Sequence, residues 1–130
     1  MSETPAPETT ARACLEAGVD AADPEGAVSD QIDVEGDELR VGDARFDLRR
    51  YDRVVVAGGG KAAAAVARGL RTVLGDRLDG GLVVTDGDAE GLERVDPGAT
   101  DWEGVAVAVG DHPVPGERNA AAAERIVELL

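Results

Sequence analysis

Val54-Val55-Val56-Ala57 is an unbroken apolar run of strand length, and it leads directly into Gly58-Gly59-Gly60-Lys61. A strand with one wet face alternates apolar and polar residues. A run without alternation suits a strand covered on both faces, as in a parallel sheet flanked by helices. From Lys61 to Leu74 the period changes to that of a helix. Ala62, Val66, Leu70, Val73 and Leu74 fall on one face, and Lys61, Arg68, Arg71 and Thr72 fall on the other. Gly75 and Gly80-Gly81 mark the return, and Leu82–Thr85 is a second apolar run, so a right-handed strand–helix–strand unit is expected. Residues 86–103 are acidic and glycine-rich, with at most a short helix near Ala89–Arg94. Val105–Val109 then makes a third strand, Gly110–Gly116 a loop and Glu117–Leu130 an Ala-rich helix. The expected fold is an open, Rossmann-like α/β sheet with parallel core strands at Val54–Ala57, Leu82–Thr85 and Val105–Val109.

A smaller unit precedes it. Pro, Thr and Glu dominate residues 1–9, which read as a disordered tail ahead of an α/β domain over 10–130. A helix is expected from Thr10 to Ala21, then a short one started by Asp23 as N-cap with Pro24 in its first turn. Ile32 and Val34, Leu39 and Val41, and Ala44, Phe46 and Leu48 alternate with charged residues and are separated by Gly36-Asp37 and Gly42-Asp43. That pattern is a meander of short strands whose apolar face lies on the main domain. The chain stops on Leu129-Leu130 inside an apolar stripe, which suggests an incomplete domain.

Composition limits the core and the partners. Phe46, Tyr51 and Trp102 are the only aromatic residues, so the interior must be built from Ala, Val and Leu in close contact. The net charge of −14 argues against nucleic acid as a partner and implies a solvated acidic surface resembling that of salt-in halophiles. The single cysteine, Cys14, cannot form an intrachain disulfide and reads as a small buried hydrophobe. The first ten residues lack a basic start and an apolar core, and no run approaches the ~18 apolar residues of a membrane span. A cytoplasmic, membrane-free location is the expectation.

The glycine turn is the first chemical candidate. Gly58, Gly59, Gly60 and Lys61 stand where a strand meets a helix, so glycines can admit an anion to the backbone while the helix start and Lys61 favour its charge. The alternative is a tight turn with Lys61 merely solvated. A Walker loop is excluded, because Val55 and Ala62 stand where it needs a glycine and a hydroxyl. Gly58, Gly60 and Ala63 do satisfy a dinucleotide fingerprint, with Asp86 at the end of the next strand where an acid would hold a ribose. The second candidate is the loop Gly110–Gly116. Two prolines stiffen it around His112, which could bond a substrate, move a proton, or only anchor its own loop. Asp86, Asp88 and Glu90 read either as a metal or Mg-nucleotide site or, more ordinarily in so acidic a chain, as part of the general acidic surface, and no Cys/His set has zinc spacing. With Ser2 and Ser29 as the only serines, a nucleophile-elbow hydrolase is excluded.

Gly58-Gly59-Gly60-Lys61-Ala62 together with His112-Pro113-Val114-Pro115 resembles the glycerate 2-kinases of the MOFRL-associated (DUF4147) family, in their amino-terminal portion. The likeness runs from about Cys14 to the end, with Val66-Ala67 where the family has Met-Ala. It implies ATP-dependent phosphorylation of D-glycerate at the 2-hydroxyl with Mg2+, cofactor binding at Gly58–Lys61, a catalytic role for Lys61, and substrate binding at His112 and Asp86. It also implies a partner region, the rest of the enzyme with its MOFRL domain, without which the chain is expected to be inactive. Relatives carry the label hydroxypyruvate reductase, so a dinucleotide-binding oxidoreductase module remains the alternative, beside a catalytically silent piece.

Overall fold

A computed structural model describes residues 4–87 and 89–130. Its centre is a four-stranded, all-parallel sheet in the order β4-β5-β7-β6, formed by β4 (Val55–Gly59), β5 (Gly80–Thr85), β6 (Glu93–Val95) and β7 (Val105–Val109). Helix α3 (Ala63–Leu74) covers one face and α4 (Glu117–Leu129) the other. Neighbouring residues of a strand point to opposite faces, so both faces of the central strands are apolar. Val83, Val105 and Val107 meet Ala64 and Ala67 of α3, whereas Leu82, Ala106 and Ala108 meet Ala122 of α4. This is the physical content of the apolar runs at Leu82–Thr85 and Val105–Val109; the run at Val54–Ala57, also expected to be covered on both faces, is not, because β4 lies at the edge of the sheet, where Val56 is buried and Ala57, Gly58 and Gly59 are exposed. Ala67, Ala106, Ala108 and Ala122 are fully buried, and such small residues let the helices lie close on the sheet. Trp102 is anchored at the amino end of β5, donating its indole N–H to the Gly81 carbonyl at 3.0 Å.

The N-terminal unit consists of α1 (Pro7–Ala21), α2 (Pro24–Gln31) and an antiparallel meander of β1 (Ile32–Glu35), β2 (Glu38–Val41) and β3 (Ala44–Asp47). Asp23 caps α2 as expected, accepting from the Gly26 N–H at 2.8 Å, with Pro24 in the first turn. The register pairs Val34 with Leu39, Leu39 with Phe46 and Val41 with Ala44, so the apolar residues share one face. The charged face is laced by Arg40–Asp33 at 2.9 Å and Arg45–Glu38 at 2.7 Å, exposed pairs that contribute little.

Several expectations are corrected. The first helix starts at Pro7, three residues before Thr10, because proline is preset for a first helical turn. It buries nothing: Cys14 is exposed, not buried, and Leu15 and Val19 are 69% and 64% exposed. The meander lies on the main unit through β1, which packs on α2 and α3, while Val41 and Phe46 stay 40% exposed. Strand β4 runs past Ala57 to Gly59, since Gly58 and Gly59 pair with Val83 and Val84. Consequently the helix begins at Ala63, not Lys61. Its buried residues are Ala64, Ala67, Gly69 and Leu74, and Ala62 is exposed, because α3 is pressed by the sheet on one side and by α2 on another. Arg68 is accordingly half-buried, bonding Glu25 at 2.9 Å and the Glu90 carbonyl at 2.6 Å. No helix forms over 89–94; Glu93–Val95 is instead the fourth parallel strand. Residues 1–3 of the tail lie outside the described residues. Among those described, no helix is long and apolar enough to cross a membrane.

Candidate functional site

The carboxyl ends of β4, β5 and β7 each release a loop at the same end of the sheet, where ligands of open α/β folds gather. The three loops enclose a cleft of about 360 Å³ lined by Gly59, Gly60, Lys61, Val84, Thr85, Asp86, Asp111, His112, Pro113, Pro115 and Asn119. Five of the six residues singled out in the sequence are therefore brought together. Gly58 is not: it stays within β4, paired with Val83.

Gly60 makes the turn. Its φ of 131° lies in the region open to glycine, and its N–H bonds the Val84 carbonyl at 2.9 Å, locking the end of β4 to β5. Ala63 N–H bonds back to the Gly60 carbonyl at 3.1 Å, and α3 then starts with no side-chain cap at Ala62 and no acidic residue in its first turn. A helix start leaves up to four N–H groups without partners and carries partial positive charge. Here no side chain caps it, and Lys61, exposed beside it, adds a full charge. The helix start and Lys61 together suit an anion, in a cleft that Asp86 and Asp111 also line.

The facing wall has a different chemistry. Thr85, 4% exposed at the end of β5, is a buried polar residue at the cleft. Asp86 follows it, and its Oδ2 stands 3.9 Å from His112 Nε2, an ion pair when the imidazole is protonated but too long for a hydrogen bond. The side chains of Asp86 and His112 are 27% and 51% exposed, so both remain accessible from the open side. The His112–Pro113 peptide is cis. The cleft thus offers a cationic glycine turn at one side and a carboxylate–imidazole pair at the other, an arrangement able to hold an anion next to a hydroxyl-bearing group.

Asn119 and Asp111 escaped the sequence reading. Asn119, in the first turn of α4, accepts with one side-chain oxygen from both Asp111 N–H at 2.8 Å and Gly116 N–H at 3.0 Å, and its amide donates to the Asp111 carbonyl at 3.3 Å. The available signal was an asparagine three residues after Gly116 at a helix start, a position where polar side chains commonly bond back to the chain. Of the acidic trio, Asp88 lies outside the described residues. Among the described residues no three His, Cys, Asp or Glu side chains gather where they could hold a metal ion.

Comparison with known proteins places this geometry. The family model described as "Domain of unknown function (DUF4147)" matches residues 10–130. The crystal structure of the PH0495 protein from Pyrococcus horikoshii OT3 is similar, with a TM-score of 0.73 and 26% sequence identity. That match covers 99% of this chain and 26% of the other, so the chain spans about a quarter of that relative's length. No curated protein matches the chain.

Proposed function

The chain belongs to the DUF4147 family, and from that premise we propose that its cleft is the phosphate-handling part of a glycerate 2-kinase, in which ATP donates a phosphoryl group to the 2-hydroxyl of D-glycerate. The observation that supports this reading best is the convergence of Gly59-Gly60-Lys61 with Asp86 and His112 on one cleft at the carboxyl end of the sheet. Phosphoryl transfer asks a protein chiefly for positioning and for charge stabilisation around the transferred group. The uncapped start of α3 and the turn at Gly60 suit phosphate oxygens, and Lys61, a compact charge on a flexible stem, can follow the group as it moves. His112 is the cleft group able to hydrogen-bond the substrate hydroxyl and accept its proton as the oxygen attacks phosphorus, with Asp86 stabilising the imidazolium that forms.

The residues fit a magnesium–nucleotide in one limited sense. Magnesium is commonly held by substrate phosphates with one or two carboxylates, and among the described residues Asp86 and Asp111 are the carboxylates lining the cleft. When bound, the ion would offset phosphate charge. The dinucleotide alternative is less well supported, because Gly58, the first glycine of that fingerprint, is a paired strand residue and not part of the turn.

The test is binding followed by turnover. In calorimetric titrations of the 130-residue chain with inorganic phosphate and with Mg-ATP, Lys61→Ala weakens affinity about 10-fold or more, the scale of one charge-assisted contact. In a longer protein containing this domain, the same change lowers kcat by about 10²-fold or more, and Lys61→Arg is also impaired. Equal ATP affinity with and without Lys61 sinks the proposal. Tight binding of NAD in place of ATP would transfer the reading to an oxidoreductase.

A further inference from the structure

We propose that Asn119 is a positioning residue of the cleft: it clamps both ends of the Asp111–Gly116 loop and so holds His112 beside Asp86. The loop cannot hold itself. Pro113 and Pro115 have no N–H, and the loop residues from Asp111 to Gly116 are all exposed, Val114 at 74%. Upstream, Gly110 N–H is tied to the Thr85 carbonyl at 2.8 Å. Beyond that point, apart from the Gly116 carbonyl, which accepts from Ala120 N–H at 3.2 Å as α4 begins, the loop's hydrogen bonds among the described residues run to Asn119: Asp111 N–H and Gly116 N–H donate to its oxygen, and its amide donates to the Asp111 carbonyl. Nor does Asp86 hold His112, since 3.9 Å is beyond hydrogen-bond reach. The position of the imidazole therefore depends on the loop, and the loop depends on Asn119.

The surrounding sequence is matched to this clamp. A Cβ at Gly110 would lie 2.5 Å from Asn119 Nδ2, so no other residue leaves room for the amide. At Gly116 a Cβ would lie 2.5 Å from Asp111 Oδ2, the end of an exposed side chain that can turn away, so the tighter constraint is at Gly110. Asn119 itself sits on a rigid base, because Ala122, one turn on in α4, is fully buried against the sheet. A fixed helix thus projects one amide that sets the geometry of an otherwise untethered wall of the cleft. The proposal rests on the functional reading above for why the place of His112 matters, and its test does not use the reaction.

His112 is the only histidine, so its ring gives a single set of NMR signals in the whole chain. The response of those signals to Asp86→Asn is measured in the wild-type, Asn119→Ala, Asn119→Asp and Gly110→Ala backgrounds. The expected result is a clear response in the wild type and its loss in Asn119→Ala, where the Asp111 and Gly116 amides also lose protection from hydrogen exchange. Asn119→Asp restores the response only in part, because a carboxylate still accepts from both amides but cannot donate to the Asp111 carbonyl. Gly110→Ala, which displaces the side chain without removing it, loses the response and keeps the test decisive if Asn119→Ala folds poorly. Val127→Gly, at a 73% exposed position of α4 away from the clamp, serves as a control that loosens the helix generally and keeps the response. A response undiminished in Asn119→Ala and Gly110→Ala overturns the proposal. So does one absent from the wild type, or one lost equally in Val127→Gly. Inorganic phosphate titrated into the same samples separates the two ideas: failure to bind in every variant counts against the kinase reading, while the His112 pattern alone decides the role of Asn119.

Discussion

Gly69 is an interior residue of α3, and its replacement by alanine sets two calculable effects against each other. Helix propensity favours Gly69→Ala by about 1 kcal/mol. The new Cβ, however, would lie 3.0 Å from Val28 Cβ and 3.2 and 3.3 Å from its two methyls, where α2 crosses α3. Rotating Val28 cannot relieve the first of these contacts, because Cβ is fixed to the backbone, so the two helices must separate. Overpacking of this kind costs about 1–3 kcal/mol. The net expectation is a loss of about 1 kcal/mol, obtained by setting a mid-range overpacking cost against the propensity gain. Val28→Ala alone loses about 2 kcal/mol, since Val28 is 7% exposed and two buried methyls disappear. In the double variant only the Cβ contact remains, and the pair couples favourably by about 1 kcal/mol. Urea unfolding followed by the fluorescence of Trp102, the single tryptophan, reports on the sheet and not on the substituted helices. With a slope of about 2 kcal/mol per molar, Gly69→Ala lowers the midpoint by about 0.5 M. Gly18→Ala is the comparison: it has open space in the exposed α1, so it raises helix content without moving that midpoint. If Gly69→Ala raised the midpoint, α2 would not be pinned to α3, and the close-packing argument would be wrong.

Gly60→Ala places an L-residue at φ 131° in otherwise open space, so it costs about 1–3 kcal/mol of stability and weakens phosphate binding, whereas Gly58→Ala, in open space at ordinary φ, leaves both unchanged. Urea midpoints and calorimetry on the pair check this. The Arg49 side chain and backbone N–H both donate to Asp47 and hold its carboxyl below the ordinary 3.8. A lowered folded value means the contribution is present above pH 3.8 and is lost as pH falls through the folded value. NMR titration should find the Asp47 midpoint below 3.8, with Arg49→Ala raising it; a midpoint that ignores Arg49 contradicts the assignment. The net charge of −14 predicts a melting temperature that climbs as KCl rises from about 0.1 to 1 M, where the screening length falls from about 10 to 3 Å. A flat profile would show that self-repulsion is not a significant cost.

The amino-acid order alone settled the parallel core. Leu82–Thr85 and Val105–Val109 have no polar alternation and are buried on both faces, as such strands require, whereas the same kind of run at Val54–Ala57 forms the edge strand β4, where Val56 is the one buried residue. The cleft loops were legible for a related reason: glycine and proline restrict backbone geometry locally, so Gly60 and the loop around His112 announce themselves without a partner. Tertiary contact decided the rest. Glu93-Arg94-Val95 has no strand pattern of its own and becomes β6 because β7 supplies its hydrogen bonds. Gly58 and Gly59 look like turn residues and are strand residues, because β5 extends far enough to pair with them. The helix carrying Cys14, Leu15 and Val19 was legible as a helix and is nonetheless exposed, since burial belongs to what packs on a face and not to the face itself. Asn119 gains its role only when the end of β7 turns back on the start of α4, so that one amide meets both ends of the Asp111–Gly116 loop. Local conformational restriction is written residue by residue, whereas hydrogen-bond partners and burial depend on segments that only the folded chain brings together.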